Sequence, residues 1–454
     1  MKISRILLIA LFVCFSANAE DKKSSNKKSR FEKLEQFNKV LFLIESQYYR
    51  PVDTQKLIQG AINGMLNTLD PHSAYLDEEI LKKMNEDTEG QFGGLGIEVT
   101  QKDGVILVIT PIEDSPAHKA GIQPGDKIVE INHESMIGLS LAQVIKKMRG
   151  KSGSKIVIGV LRDGVKGIKQ YSLKRKIIKT QTVKSDIVEE DVIYVRLTQF
   201  SKGSAKQISN AIKKHRKKVK KPKGIILDLR FNPGGLLDEA VNVSSIFLED
   251  GVVVSTEGRD PKNKDIRYVR KTGYKETELP VVVLINSSSA SASEIVAGAL
   301  QDTSRAIIMG ETSFGKGSVQ TIAKIDDKTG VKMTIAQYMT PSGKKIQAIG
   351  IKPDIEITDV EGDWLETKKT KKRQVREKDL RNHLTATIET EEEKKRRLQE
   401  EKERIAQKRK EFKMNKSKKA KSVSSSFVPH SDYLVHLSAG YIKSFKTVQK
   451  IIRK

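Results

Sequence analysis

The chain has 454 residues, 37% of them hydrophobic, and 83 Lys and Arg against 57 Asp and Glu give a formal charge of +26. That length leaves room for two or three domains, and the single cysteine, Cys14, excludes a disulfide framework and a cysteine metal site. The charge suits an anionic partner, but the basic clusters at 22–30, 213–223, 368–376 and 408–421 hold one aromatic between them, Phe412, so they read as solvated surface and no nucleic-acid partner is expected.

Residues 1–19 read as an export signal. Lys2 and Arg5 open it, an apolar run covers 6–15, and Ala17-Asn18-Ala19 offers an A-x-A cleavage site. The run is too short to cross a bilayer of ~30 Å as a helix, and cleavage at Ala19 would remove Cys14 and leave no thiol nucleophile. Residues 20–30 form a basic linker. In 31–88, helical spacing of Leu34, Phe37, Val40, Leu41 and Ile44, then of Leu57, Ile58, Ala61 and Leu66, predicts two helices separated by Pro51. Residues 89–178 predict a β-rich unit with strands at 97–100, 105–110, 127–131 and 155–162. Its two short helices start after Ser115 and after Ser140, a plausible cap. Across 179–360, strands at 192–197, 224–228, 281–285, 306–309 and 332–338 alternate with helices at 205–214, 237–247 and 293–300, which argues an α/β layered core. Residues 361–427 are highly charged and predict an exposed helix or disorder. A helix with an apolar stripe over 432–452 fills the last segment, 428–454. The fold class expected is therefore α/β multidomain with helical ends.

Two segments of the core carry candidate chemistry: S-S-S-A-S-A-S-E-I at 287–295 and E-T-S-F-G-K-G-S-V-Q at 311–320. Ser291 follows a strongly apolar strand and precedes a helix, so its hydroxyl can sit at a strand-to-helix turn beside backbone N–H groups. Lys316 lies in a glycine-rich turn flanked by Phe314, Val319 and Ile322. A free lysine, with a pKa of about 10.4, is a poor base at neutral pH. Burial can lower that value by ~3–5 units, so the pair predicts a dry pocket. Gln320 can orient the amine without adding a charge that would restore its proton. In D-L-R-F-N-P-G-G at 228–235, the N–H of Gly234 or Gly235 could join that of Ala292 as oxyanion donors. Taken singly, 287–295 also describes a capping loop, Lys316 a surface lysine and 228–235 a tight turn. Residues 310–316 nearly match a phosphate-binding loop, but Gly317 stands where Ser or Thr would hold magnesium and 319–325 reads as extended. No metal or cofactor is expected. The seven histidines, His72, His118, His133, His215, His383, His430 and His436, have no nucleophile-like neighbourhood and read as structural or surface residues.

At these residues the sequence resembles the C-terminal processing peptidases, or tail-specific proteases, which are serine endopeptidases with a Ser–Lys dyad and an inserted PDZ domain. The resemblance spans 57–357 and runs through L-D-P-H-S-A-Y (69–75), G-G-L-G-I (93–97), S-P-A-x-x-A-G-I-x-P-G-D (115–126), D-L-R-x-N-P-G-G, A-S-A-S-E-I and F-G-K-G-x-V-Q, in family order. It implies that 179–360 is the catalytic core, 89–178 the inserted PDZ domain, Ser291 the nucleophile, Lys316 the general base and Gln320 its positioning partner. The 25 residues from Ser291 to Lys316 fit the family spacing and favour Ser291 over Ser289 or Ser293. It further implies that Gly94, Leu95, Gly96 and Ile97 form the loop that takes a substrate's terminal carboxylate. Implied partners are proteins or peptides with free C-termini, an adaptor or activating protein, and a second copy of the chain through the helical ends. With the export signal, the resemblance implies the bacterial periplasm; an uncleaved signal would hold the chain at the inner membrane. A PDZ adaptor with little or no protease activity is the alternative.

Overall fold

The computed structural model describes residues 30–102, 104–260, 262, 264–357, 376–380, 399 and 428–452. The expected signal, nearly all of the linker and most of 361–427 lie outside the described residues. The chain divides into two compact units, 1–62 and 63–454. Helix α1 (Arg30–Gln47) and the start of α2 (Thr54–Asn67) belong to the first. No residue of α1 is buried, and Phe31, Leu34 and Phe37 stand exposed on it.

The second unit opens with β1 (Ala74–Leu76), α3 (Glu78–Glu89) and β2 (Gln91–Gly94). Asp77 caps α3 by accepting the Ile80 N–H, and Gly90 ends it with the left-handed φ of 64° that glycine adopts most cheaply. A β-rich module follows: β3 (Ile97–Lys102), β4 (Val105–Pro111), α4 (Pro116–Lys119), β5 (Lys127–Ile131), β6 (Glu134–Ser135), α5 (Leu141–Met148), β7 (Lys155–Leu161) and β8 (Lys169–Lys174). Its sheet runs β3-β4-β5-β7-β8, over a core that includes Leu95, Ile106, Ile128, Val144 and Ile158. Strand β9 (Lys176–Lys179) pairs antiparallel with β2, so both ends of the module leave through one two-stranded neck.

The core itself is built on a six-stranded sheet. Its strands are β10 (Val183–Val188), β11 (Val192–Leu197), β12 (Gly224–Asp228), β15 (Val281–Ile285), β16 (Ala306–Gly310) and β19 (Ile355–Glu356), in that order. The β10–β11 pair is antiparallel and every other pair parallel. Every residue of β12 and β15 is buried, as the apolar runs of 225–227 and 281–285 require of strands covered on both faces. Alternation assigns the faces. Ile193, Ile225, Val283 and Ile308 pack with α6 (Ser204–Lys218), α7 (Leu237–Phe247) and α8 (Ala292–Asp302). Tyr194, Ile226, Val282 and Met309 face the other way, onto α9 (Tyr433–Ile452) through Leu434, Val435, Ala439 and Ile442. A second sheet joins β1, β13 (Val252–Gly258), β14 (Lys264–Tyr268), β17 (Ser318–Lys324) and β18 (Gly330–Met339). The loop from β16 to β17 therefore bridges the two sheets.

The charged stretch 361–427 needs one correction. Within it, the 3-10 turn Glu377–Asp379 is described, and Glu377 is fully buried rather than exposed.

Candidate active site

Three loops leave the carboxyl ends of adjacent parallel strands, the place where open α/β sheets hold ligands. The loop after β12 carries 229–235, the loop after β15 carries 286–291, and the loop after β16 carries 311–317. Ser291 is the residue before α8 and has φ 55° and ψ −113°. A non-glycine residue there stores of order 1–3 kcal/mol and persists only where its surroundings over-determine it.

The determining group is Glu294, one turn into α8 and fully buried. Its carboxylate accepts four hydrogen bonds. Oε2 takes the Ser291 N–H at 2.7 Å and the Lys316 N–H at 2.9 Å. Oε1 takes the Ser313 hydroxyl at 2.6 Å and the Gly315 N–H at 2.7 Å. One oxygen thus ties the backbone of Ser291 to that of Lys316. Burial outweighs the four donors and pushes the Glu294 carboxyl up to about 7. Sequence reading passed over Glu294, although Ser-x-x-Glu before an apolar helix is the capping-box pattern that the pair forms.

The three candidate serines separate on geometry. The Ser289 hydroxyl is buried and donates to the Leu229 carbonyl at 2.9 Å, and the Ser293 hydroxyl is buried and donates to the Asn232 carbonyl at 2.9 Å. The partly exposed Ser291 hydroxyl donates to no group among the described residues.

Lys316 is held below the ordinary lysine range, first by burial and then by the Lys332 ammonium; Glu377, Glu294 and Asp70 oppose the shift. Among the described residues its amine makes no hydrogen bond to Ser291 or to Gln320. Gln320 instead donates to the Ser318 hydroxyl at 2.8 Å and carbonyl at 3.1 Å and to the Thr334 hydroxyl at 3.4 Å, so the bond expected between it and the lysine is not made. Gly317 is explained by crowding: a Cβ there would lie 2.4 Å from the Gln347 nitrogen.

Glu377 had no signal in the sequence. Its Oε1 meets His72 Nε2 at 2.7 Å and accepts from Gln347 Nε2 at 3.0 Å, while Oε2 has no partner among the described residues. Its N–H donates to the Phe314 carbonyl at 3.1 Å, so the 3-10 turn is docked on the lysine loop.

Of the expected oxyanion donors, Gly234 is corrected. Its N–H is donated to Asn232 Oδ1 at 2.9 Å, inside its own loop. The Gly235 and Ala292 N–H groups make no hydrogen bond among the described residues. The loop lies close to Ser291, since a Cβ on Gly234 would sit 2.8 Å from the Ser291 Cβ.

The Gly94–Ile97 loop lies in the β-rich module, between β2 and β3. Gly96 has φ 71°, and a Cβ there would meet the Ser115 Cβ at 2.3 Å. The Leu95 and Gly96 carbonyls are used by the Ala117 and Ile112 N–H groups, while the Leu95 and Gly96 N–H groups have no backbone partner among the described residues.

Residues 191–357 match peptidase family S41, 107–162 match the PDZ domain, and 13–80 match the N-terminal domain of the activating protease CtpB. The chain is 45% identical over 361 residues to a carboxy-terminal-processing protease of Bartonella bacilliformis, covering 78% of this chain and 83% of that one. It is 38% identical over 358 residues to the carboxy-terminal processing protease CtpA of Bacillus subtilis, covering 78% of this chain and 75% of that one. Among solved structures it is similar to a photosystem II D1 C-terminal processing protease at 29% identity and a TM-score of 0.43, over 73% of this chain and 87% of that one. The chain is a serine peptidase of family S41 with a PDZ domain, and it belongs to the carboxy-terminal processing proteases.

Proposed function

We propose that this peptidase cuts its substrates with Ser291 as nucleophile and Lys316 as general base. The observation that carries the reading is the Glu294 carboxylate, which accepts the N–H of both residues while burial depresses the lysine. When substrate draws the neutral Lys316 amine within hydrogen-bond reach of the Ser291 hydroxyl, the amine takes its proton and Oγ attacks the peptide carbonyl carbon. The oxyanion falls to the Gly235 and Ala292 N–H groups, at the N-terminus of α8, where the helix dipole adds to the stabilisation. The lysine ammonium returns the proton to the leaving amine, and water, deprotonated by the same lysine, releases the acyl group. Gln320 is already fixed by Ser318 and Thr334.

In this reading the PDZ module selects proteins with free C-termini. The N–H groups left open at Leu95 and Gly96 take the terminal carboxylate, and the substrate chain adds beside β3. The signal-like residues 1–19 support export to the bacterial periplasm, and the match of 13–80 supports an activating partner; cell fractionation checks the first. The dyad is tested with the full chain and its Ser291→Ala and Lys316→Ala forms, offered an unstructured protein with a free apolar C-terminus. Cleavage by the parent alone is expected, and equal cleavage by all three rejects the assignment. Binding without cleavage by the parent, with an activating partner tried, would favour the adaptor.

A further inference from the structure

Helix α9 lies on the face of the sheet opposite α6, α7 and α8, yet its first turn reaches the loop after β12. Arg230, almost completely buried, grips two carboxylates at once. Its Nε and Nη2 donate to Asp228 at 3.0 and 2.8 Å, and its Nη1 and Nη2 donate to Asp432 at 3.3 and 3.0 Å. Asp228 is itself fixed by the Tyr194 hydroxyl at 2.8 Å and by the Arg230 N–H at 2.9 Å. Asp228 alone neutralises the arginine, so a second carboxylate is not required for charge balance. What it adds is geometry: two two-pronged contacts fix the plane of one guanidinium.

That plane sits at the root of the oxyanion loop. The next residue, Phe231, holds a φ of 59° without being glycine, a conformation that needs restraint on both sides. Its N–H donates to Asn286 Oδ1 at 3.0 Å. Beyond it, the Asn232 carbonyl accepts the Ala290 N–H at 3.0 Å and the Ser293 hydroxyl at 2.9 Å. Gly234 then closes against Ser291. We propose that Asp432 is a positioning residue for the reaction: from the C-terminal helix it locks Arg230 and so holds 231–235, with the Gly235 N–H, in register with Ser291. This rests on the Ser291 reading above.

The test exploits a second role of Asp432, which accepts the Val435 N–H at 3.0 Å and so caps α9. Asparagine and serine cap helices about as well, so Asp432→Asn and Asp432→Ser keep the cap and remove the charge that faces Arg230. The full-length variants are assayed on a quenched fluorogenic peptide with a free apolar C-terminus and titrated with a peptide boronate, which mimics the tetrahedral intermediate. The proposal expects kcat to fall about tenfold with KM within about twofold, boronate affinity to fall in step, and thermal melting to stay near the parent's. Unchanged kcat overturns it, as does a loss carried by KM. Failure of both variants to fold also overturns it and leaves Asp432 a scaffold residue. Ser291→Ala separates the two readings. If that variant is inactive while Asp432→Asn runs at the parental rate, only the Asp432 role falls; if it still cleaves, the dyad itself falls.

Discussion

Replacing Glu294 by Gln should make the protein more stable and less active. The carboxyl stands at about 7 in the fold against 4.5 in an ordinary chain, so ionising it costs the folded state about 3 kcal/mol more than the unfolded one. The sign follows from proton binding. Between pH 4.5 and about 7 the folded form keeps a proton that the unfolded form has lost, so this group's contribution to stability falls as pH rises through that window and is flat above it. Glutamine resembles the protonated carboxyl and escapes the cost, for a gain of up to about 3 kcal/mol at pH 7 that vanishes towards pH 4.5. Its single carbonyl can still accept the Ser291 and Lys316 N–H groups. Those bonds drop from charge-assisted strength to neutral strength, losing about 1 kcal/mol each, and the Gly315 N–H is left facing an NH2 group. The two losses together, about 2 kcal/mol, correspond to a kcat up to about thirtyfold lower. Denaturant midpoints at several pH values measure the stability, and the fluorogenic peptide measures kcat. The parent-to-variant ratio of kcat should shrink as acid protonates the parent's carboxyl. Parental kcat in the variant, or a stability gap that ignores pH, would refute the reasoning.

Glu377→Gln removes a negative charge that favours the protonated amine, while Asp70, Glu294 and Lys332 still act on it. In the proposed mechanism Lys316 loses its proton to act, so kcat/KM should rise with pH along an acid limb, and this limb should move to lower pH in the variant; an unmoved limb removes Glu377 from the electrostatics of Lys316. Gly96→Ala forces a Cβ into the Ser115 side chain at a left-handed φ, a conformation costing roughly 1–2 kcal/mol for an L-residue. KM should rise for a substrate with a free C-terminus and stay unchanged for the amidated form, whereas an equal effect on both would disconnect the loop from carboxylate capture.

Local pattern and long-range assembly contributed unequally to this centre. The apolar run at 281–285 could be read as a buried strand because parallel strands covered on both faces need continuous apolar residues. Ser291 and Lys316 stood out because a strand-to-helix turn and a glycine-rich turn are written in consecutive residues. Strands β13 and β14 were missed; β14 is largely exposed, which leaves little apolar alternation to read. Glu377 lies in a run so charged that exposure was the natural expectation, and its burial depends on His72, 305 positions earlier in the chain. Asp432 marked only the start of a helix, since its bond to Arg230 spans 202 positions. Local turns single out Ser291 and Lys316 as candidates, and the family resemblance joins them into a pair, because each candidate needs only its own turn. The carboxylates around them act through space, and their positions depend on which distant segments the fold brings against those turns. That division explains why Glu294, three residues from Ser291, left a readable capping pattern, whereas Glu377, which acts on the same lysine, left none.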